Sequence, residues 1–293
     1  MRFTTSVLSR AAAGLALGLS LATTVIAEPP LKTLADTVAQ VEDRLGARVG
    51  IALVDTGSGQ SWTHRADERF LMNSTMKVPL CAAVLARRDA GAQSLDETLT
   101  IRPTDVQSYA PVTEKRVGGS MTIADLCLAA IDMSDNTAAN LLIDHLGGPQ
   151  EVTQFFRSIG DPVSRLDRLE PELNTFVAGD PRDTSTPVAM AEMLRAVLLG
   201  DALEPASRDQ LAEWMRHGGV TGALLRREAP AGWQILDKSG SGSHSRNIVA
   251  VVTPTGRAPW IVTIFLSDVD ADFATRNAAL QQLGASVMGV IRG

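Results

Sequence analysis

Strand-like sequence lies near both ends of this chain, whereas the stretch from about residue 70 to about residue 215 is almost entirely helix-like and loop-like. Near the start, the apolar run 49–54 is followed by a turn-forming segment and by residues 61–64, which can pair back as a hairpin. Near the end, residues 248–253 and 260–266 are rich in β-branched and aromatic side chains. A single sheet therefore has to combine the two ends of the chain.

Amphipathic helices are predicted beside these strands, because apolar residues recur at steps of three and four over residues 31–46 and 280–290. The pattern predicts an α/β protein of the α+β sandwich type. A discontinuous domain with an antiparallel sheet flanked by terminal helices carries an inserted all-α domain, and the ligand cleft is expected between them. The predicted boundaries are 28–68 with 216–293 for the α/β domain and 69–215 for the all-α domain.

The first 27 residues predict a cleaved signal peptide, with a basic start, an apolar run and small residues before the cleavage point. The alternative is a retained membrane anchor, but the run is short and Gly14 and Gly18 interrupt it. We therefore expect a periplasmic or secreted protein that does not contact the membrane after cleavage. A net charge of −6 without a basic cluster argues against nucleic acid as a partner.

The two cysteines, Cys81 and Cys127, can form one disulfide in an exported chain. The alternative is a pair of buried thiols that pack as small apolar groups. The four histidines lie far apart without the spacing of a metal site, so we expect neither a metal nor another cofactor. A serine hydrolase of this sequence would have to use another residue as its base.

Four short polar segments occur in an order that indicates one active site: Ser74–Lys77 (Ser-Thr-Met-Lys), Ser134–Asn136 (Ser-Asp-Asn), Glu170–Asn174 (Glu-Pro-Glu-Leu-Asn) and Lys238–Gly240 (Lys-Ser-Gly). The first segment alone is weak evidence for an active site, because a chain of this length contains roughly one Ser-x-x-Lys by chance. The complete set in this order is hard to attribute to coincidence.

The residue types of the first segment suit nucleophilic catalysis. Ser74 and Lys77 are three residues apart and would share one face of a helix. Pro79 places them near the helix start, where the helix dipole favours an anionic oxygen. The alternative is an ordinary helix start with a solvated lysine.

The second and fourth segments carry donors and a cation. Ser134 can pass a proton to a leaving nitrogen, and Asn136 can hold a substrate amide; alternatively, Asp135 caps the following helix. Lys238 can bind a substrate carboxylate, and Gly240 allows close approach to the backbone. An isolated Lys-Ser-Gly is more often a turn.

From about residue 30 to the C-terminus, these segments resemble those of class A serine β-lactamases. Further matching segments are Tyr109–Glu114, Met133–Asn140, Arg165–Asn174 and Asp180–Thr184. The resemblance implies a β-lactam hydrolase that confers antibiotic resistance, acts on small molecules, needs no cofactor and is a monomer. Ser74 would attack the lactam carbonyl, with its proton taken by Lys77 directly or by Glu170 through a water. Glu170 would then activate the water that hydrolyses the ester.

The resemblance also implies binding roles. The oxyanion hole would be formed by the backbone N–H groups of Ser74 and Ser241, and Arg168 and Asp183 would form a salt bridge across the neck of an Ω loop, residues 165–183. The two cysteines fall where many members have their disulfide. Arg246 aligns with the carboxylate-binding arginine, although its segment is one residue short; the alternative is a strand-edge charge in solvent. The substrate-binding residues would be Tyr109, Asn136, Asn174, Lys238, Ser239, Gly240, Ser241 and Arg246.

Two features bear on specificity and on rival functions. Asn73 and Gly242 occupy the positions of a cysteine pair found in some carbapenem-hydrolysing members, so strong carbapenemase activity is not expected, while Ser241 leaves extended activity open. A D-alanyl-D-alanine peptidase and a non-turnover β-lactam sensor share much of this chemistry. The segment Glu170–Asn174, which supplies the deacylating water, argues against both.

Overall fold

A computed structural model describes residues 28–293, so the predicted signal peptide at 1–27 lies outside the described residues. The strands are β1 Arg48–Asp55, β2 Ser61–His64, β3 Phe70–Leu71, β4 Thr98–Thr100, β5 Ser120–Thr122, β6 Thr184–Ser185, β7 Gln234–Ser241, β8 Arg246–Thr253 and β9 Trp260–Ser267. Five of the strands within this part of the chain form one antiparallel sheet in the order β2-β1-β9-β8-β7. The predicted sheet therefore does combine the two ends of the chain.

The helices are α1 Glu28–Leu45, α2 Lys77–Asp89, α3 Ile123–Asp132, α4 Asn136–Leu146, α5 Pro149–Ser158, α6 Pro187–Leu198, α7 Pro205–Arg216 and α8 Phe273–Arg292. Helices α1 and α8 lie against each other, and Thr37 Oγ1 and Ser286 Oγ are 2.8 Å apart between them. None of the helices from residue 28 onward combines the length and apolarity needed to cross a membrane.

Both faces of the sheet are covered, which explains why β1, β8 and β9 contain continuous apolar runs. Successive side chains of a strand point to opposite faces. Ile51 accordingly packs with Leu34 and Leu283 of the terminal helices, whereas Ala52 belongs to the core shared with α2 and α6. The predicted fold class is confirmed, while the domain boundaries stay a prediction.

The middle of the chain is almost entirely helix and loop, as predicted, and also contains two short ladders, in which β3 pairs with β6 and β4 pairs with β5. The alternative of an isolated turn at Lys238–Gly240 is wrong, because these residues lie within β7 at the edge of the sheet. The polar residues of β7 conceal the strand pattern, and burial of Asp237 is compensated by an ion pair with Arg226.

Candidate active site

Ser74 lies in the 3-10 turn Asn73–Met76, and Lys77 is the first residue of α2. The predicted helix start is therefore present, but Ser74 precedes the α-helix itself. Residues three apart eclipse in a 3-10 turn, so the two side chains share one direction. The Ser74 hydroxyl donates to Glu170 Oε1 at 3.4 Å. A buried carboxylate thus lies directly beside the candidate nucleophile.

Lys77 is completely buried, which rules out the alternative of a solvated lysine. Its Nζ lies 3.1 Å from Glu170 Oε1 and donates to Ser134 O at 2.8 Å and to Asn136 Oδ1 at 2.6 Å. Burial lowers the pKa of Lys77 below its ordinary value, although the Glu170 carboxylate opposes the shift. Lys77 and Glu170 therefore form a buried ion pair.

The Ser134 hydroxyl lies between two lysines. Its oxygen accepts from Lys238 Nζ at 2.9 Å and from Lys77 Nζ at 3.5 Å. Because both contacts use oxygen lone pairs, the hydroxyl hydrogen is free to point elsewhere. Burial, reinforced by Lys77 and Arg246, lowers the pKa of Lys238 well below its ordinary value.

Asp135 is the cap of α4 that the sequence offered as an alternative role for the triplet. Its Oδ1 accepts the backbone N–H of Ala138 at 2.9 Å, the geometry of an N-terminal cap. The same carboxylate accepts from the backbone N–H groups of Val112 and Thr113. The cap thereby ties the loop carrying Ser134 to the segment that follows Tyr109.

Glu170 is held from two sides. The side-chain amide of Asn140 donates to Glu170 O and accepts from Glu170 N, both at 2.8 Å. Asn174 Nδ2 donates to Glu170 Oε2 at 2.6 Å. This role of Asn140 could not be predicted from the sequence, because a side chain that hydrogen-bonds a distant backbone leaves no spacing pattern. Its position in the matched segment Met133–Asn140 is the signal that could have found it.

The Ω loop closes through the ion pair between Arg168 and Asp183. The Asp183 side chain is completely buried, and its Oδ1 also accepts the backbone N–H groups of Asp167 and Arg168. Such a carboxylate depends on all of its partners, because burying an uncompensated charge is costly.

A cavity of about 310 Å³ opens in front of Ser74. Every predicted substrate-binding residue lines the cavity except Lys238, whose Nζ donates to the hydroxyl of the lining residue Ser134. Val220 and Phe273 also line it, and no motif marks either residue. The lining residues are Ser74, Tyr109, Ser134, Asn136, Asn174, Val220, Ser239, Gly240, Ser241, Arg246 and Phe273.

Gly240 allows β7 to pass close to the nucleophile. A Cβ atom at this position would lie 2.9 Å from Met72 O and 3.1 Å from the backbone nitrogen of Ser74. Any side chain would therefore push β7 away from the turn that carries Ser74. The glycine therefore keeps β7 close to the Ser74 amide.

Arg246 is 6% exposed, so the alternative of a strand-edge charge in solvent is wrong. Its Nη1 donates to Gly240 O at 3.0 Å and its Nε donates to Asn277 Oδ1 at 3.1 Å, while the Phe273 ring centroid lies 5.3 Å from the guanidinium carbon. Burial, helped by Arg276, lowers the pKa of Arg246 to about 10, which keeps it cationic at neutral pH. These partners are uncharged, so the cation is available to an anionic ligand.

Cys81 and Cys127 are buried free thiols on α2 and α3, so the predicted disulfide is not confirmed. The thiols are nevertheless neighbours. Burial, together with hydrogen bonding to Cys81, raises the pKa of the Cys127 thiol well above its ordinary value. The disulfide stays a prediction.

Comparison with known proteins places the chain among enzymes of one kind. A model of the Beta-lactamase enzyme family matches residues 32–291. The chain is 66% identical over 292 residues to a β-lactamase of Rhodobacter capsulatus, covering all of both chains. It is also 48% identical over 254 residues to β-lactamase L2 of Stenotrophomonas maltophilia, covering 86% of this chain and 84% of the relative.

Solved structures agree with these relatives. A β-lactamase from Xanthomonas campestris superposes with a TM-score of 0.86 at 45% identity, covering 89% of this chain and 98% of that one. The class A β-lactamase of the last common ancestor of Gram-negative bacteria superposes with a TM-score of 0.84 at 50% identity, covering 87% and 98%. The similarity spans the sheet, the helices and the residues around Ser74.

Proposed function

The chain belongs to the class A serine β-lactamases, and we propose that it destroys β-lactam antibiotics through an ester formed on Ser74 and hydrolysed with the help of Glu170. One observation supports this mechanism above the others. The Glu170 carboxylate is buried in contact with Ser74, with Lys77 and with Asn174. It is thus placed between the nucleophile, a base of lowered pKa and an amide donor.

Acylation starts when Ser74 Oγ attacks the lactam carbonyl and its proton passes to the Lys77–Glu170 pair. The lowering of the Lys77 pKa by burial favours its neutral form, which a base requires. The developing oxyanion is held by the backbone N–H groups of Ser74 and Ser241, and one such donor typically lowers the barrier by about 3 kcal/mol. Ser134 delivers its proton to the departing nitrogen and recovers one from the lysines on its oxygen.

Deacylation uses the same carboxylate as a general base. Glu170 takes a proton from a water that attacks the ester carbonyl, and Ser74 is released as the leaving alcohol. Asn174 fixes one carboxylate oxygen, which leaves the other facing Ser74. The breakdown of the ester distinguishes a β-lactamase from a peptidase or a sensor trapped by the same drug.

Arg246 and Lys238 bind the carboxylate of the substrate, and Tyr109 forms a wall of the cavity. The Arg246→Ala variant is expected to raise KM for benzylpenicillin about tenfold or more while kcat changes little. The reason is that a charge-assisted hydrogen bond is lost equally from the bound substrate and from the transition state. Steady-state kinetics measures this. Arg246→Lys, which keeps the charge, should recover part of the loss, whereas an unchanged KM in Arg246→Ala would remove Arg246 from substrate binding.

The function is tested by mixing the purified mature protein, residues 28–293, with a large molar excess of benzylpenicillin. Ring opening is followed spectroscopically, and the intact mass is taken at the end. Many turnovers with free enzyme recovered would support the proposed reaction. One equivalent consumed with a stable penicilloyl adduct would instead indicate the peptidase or the sensor.

We propose further that residues 1–27 are a signal peptide and that the mature monomer acts in the periplasm or outside the cell. The support is the apolar run in the sequence. The neighbouring cysteines support the disulfide in that oxidising compartment. Denaturation and alkylation without reductant test it, because a disulfide leaves the mass of the periplasmic protein unchanged, whereas two free thiols each add one label.

A further inference from the structure

Asn73 lies directly before the nucleophile and takes no part in the chemistry proposed above. Its backbone is left-handed, with φ +49°, and its side chain is completely buried. Asparagine tolerates this conformation better than most residues, but the conformation still has to be held by its surroundings. The side chain makes hydrogen bonds to three residues in two segments, the Ω loop and the start of β8. They are a donation to Asn174 and acceptances from Ser245 and Asn247.

Backbone groups fix the orientation of the first amide, Asn247 on β8. Its Nδ2 donates to Leu71 O at 2.8 Å, and its Oδ1 accepts the backbone N–H of Leu266 at 3.4 Å. A carbonyl only accepts and an N–H only donates, so this amide cannot be reversed without losing both contacts. Asn247 therefore presents its nitrogen to Asn73, whose Oδ1 accepts at 3.0 Å.

The fixed orientation of Asn247 determines the orientation of the Asn73 amide, then of the Asn174 amide, and so which atom faces the Glu170 carboxylate. Because the oxygen of Asn73 faces Asn247, its nitrogen faces the Ω loop and donates to Asn174 Oδ1 at 2.9 Å. Because that oxygen is occupied, Asn174 turns its nitrogen to Glu170 Oε2 at 2.6 Å. Each of the three amides has one orientation consistent with its neighbours.

Gly242 leaves the space that this chain of amides needs. A Cβ atom there would lie 2.8 Å from Asn73 Nδ2 and 3.1 Å from Asn174 O. A side chain at this position would displace the donor of Asn73. The hydrogen bond from Asn73 to Asn174 thus depends on a glycine in the turn between β7 and β8.

We infer that Asn73 is a positioning residue for ester hydrolysis: it transmits a fixed hydrogen-bond direction from β8 through Asn174 to Glu170. It touches no reacting atom. It acts by holding Asn174 as a donor, because a rotated Asn174 would present its oxygen to the carboxylate and repel it. The inference rests on the proposed function, since it concerns how Glu170 is held for deacylation.

The test is the Asn73→Asp variant, which keeps the size of the side chain and replaces the donor facing Asn174 with an oxygen. We expect deacylation of benzylpenicillin to slow by about tenfold to a hundredfold, the effect of losing one charge-assisted hydrogen bond. Acylation should stay within about threefold. Consequently kcat falls, KM falls with it, and kcat/KM is retained, while intact mass shows the penicilloyl ester accumulating.

Two further variants separate positioning from a general structural effect. Ser245→Ala removes another partner of Asn73 Oδ1 without reversing the amides, so its kcat should stay within about threefold of wild type. Asn73→Gly accepts the left-handed backbone without strain and removes the hydrogen bond to Asn174 together with the contacts from Ser245 and Asn247, and it should also accumulate ester. This variant keeps the test valid if Asn73→Asp does not fold.

The inference is overturned if a folded Asn73 variant keeps wild-type kcat, or if kcat and kcat/KM fall together. A wild-type protein that consumes only one equivalent of benzylpenicillin would refute the proposed function instead. The two failures are therefore distinguishable in the same set of measurements.

Discussion

The Glu170→Gln variant is expected to react with benzylpenicillin once and then to hold it as an ester on Ser74. Glutamine has nearly the same shape, but it offers one acceptor oxygen to the two donors Asn174 and Lys77, and its amide cannot take a proton from water. Loss of a general base typically slows a step by about 10²- to 10⁴-fold. Acylation is expected to continue because Lys77, whose pKa is lowered by burial, can still act as the base. Rapid-quench intact mass spectrometry measures the two steps separately.

Glu172 offers a matched control for this prediction, since it lies in the same loop but is exposed. Glu172→Gln should turn over benzylpenicillin at the wild-type rate. The double variant with Ser74→Ala and Glu170→Gln should give no adduct, which assigns the ester to Ser74. Rapid turnover by Glu170→Gln alone would remove this carboxylate from the deacylation role.

The Arg168→Ala variant is expected to lose about 3–5 kcal/mol of unfolding free energy, because it leaves Asp183 buried without its cation. For a chain of this size that corresponds to a fall in Tm of roughly 6–15 °C. The Ω loop carries Glu170, so deacylation should fall with stability. Calorimetry and the accumulation of ester with benzylpenicillin measure the two effects.

Arg182 provides the comparison, because its ion pair with Asp180 lies in the same loop but its guanidinium side chain is half exposed, whereas Asp183 is completely buried. Exposed pairs contribute little, so Arg182→Ala should leave Tm unchanged within error. If both arginine variants shift Tm by the same small amount, the buried pair does not hold the loop.

The elements with a clean apolar period could be predicted from the sequence. Helix α1 and strands β1, β8 and β9 lie within a few residues of the predicted positions, and α8 contains the predicted 280–290 but begins at Phe273. The packing faces of the two helices follow from their apolar period, and the continuous apolar runs of the strands fit a sheet that is buried on both faces. The order of the four polar segments likewise indicated one site, because each carries residues whose chemistry is specific.

Other features could not be predicted from the pattern. Strand β7 contains Asp237, Lys238 and Ser239, which become buried only because partners elsewhere compensate them. Asn73 and Asn140 act through single amides whose partners are distant in sequence, so neither spacing nor composition marks them. Phe273 reaches the cavity because the terminal helix starts beside Arg246, a matter of tertiary geometry.

The pairing of β1 with β9 has a consequence for how the protein is made. Ile51 pairs with Ile264, so β1 cannot form this pairing until β9 has been synthesised near the end of translation. Contacts of such separation form late, because the intervening chain must be ordered first. The helical middle can begin to organise on a nascent chain, but the sheet and its Lys238 cannot. A prematurely terminated polypeptide without β9 would expose the β1 edge, and quality-control proteases should recognise it as unfinished.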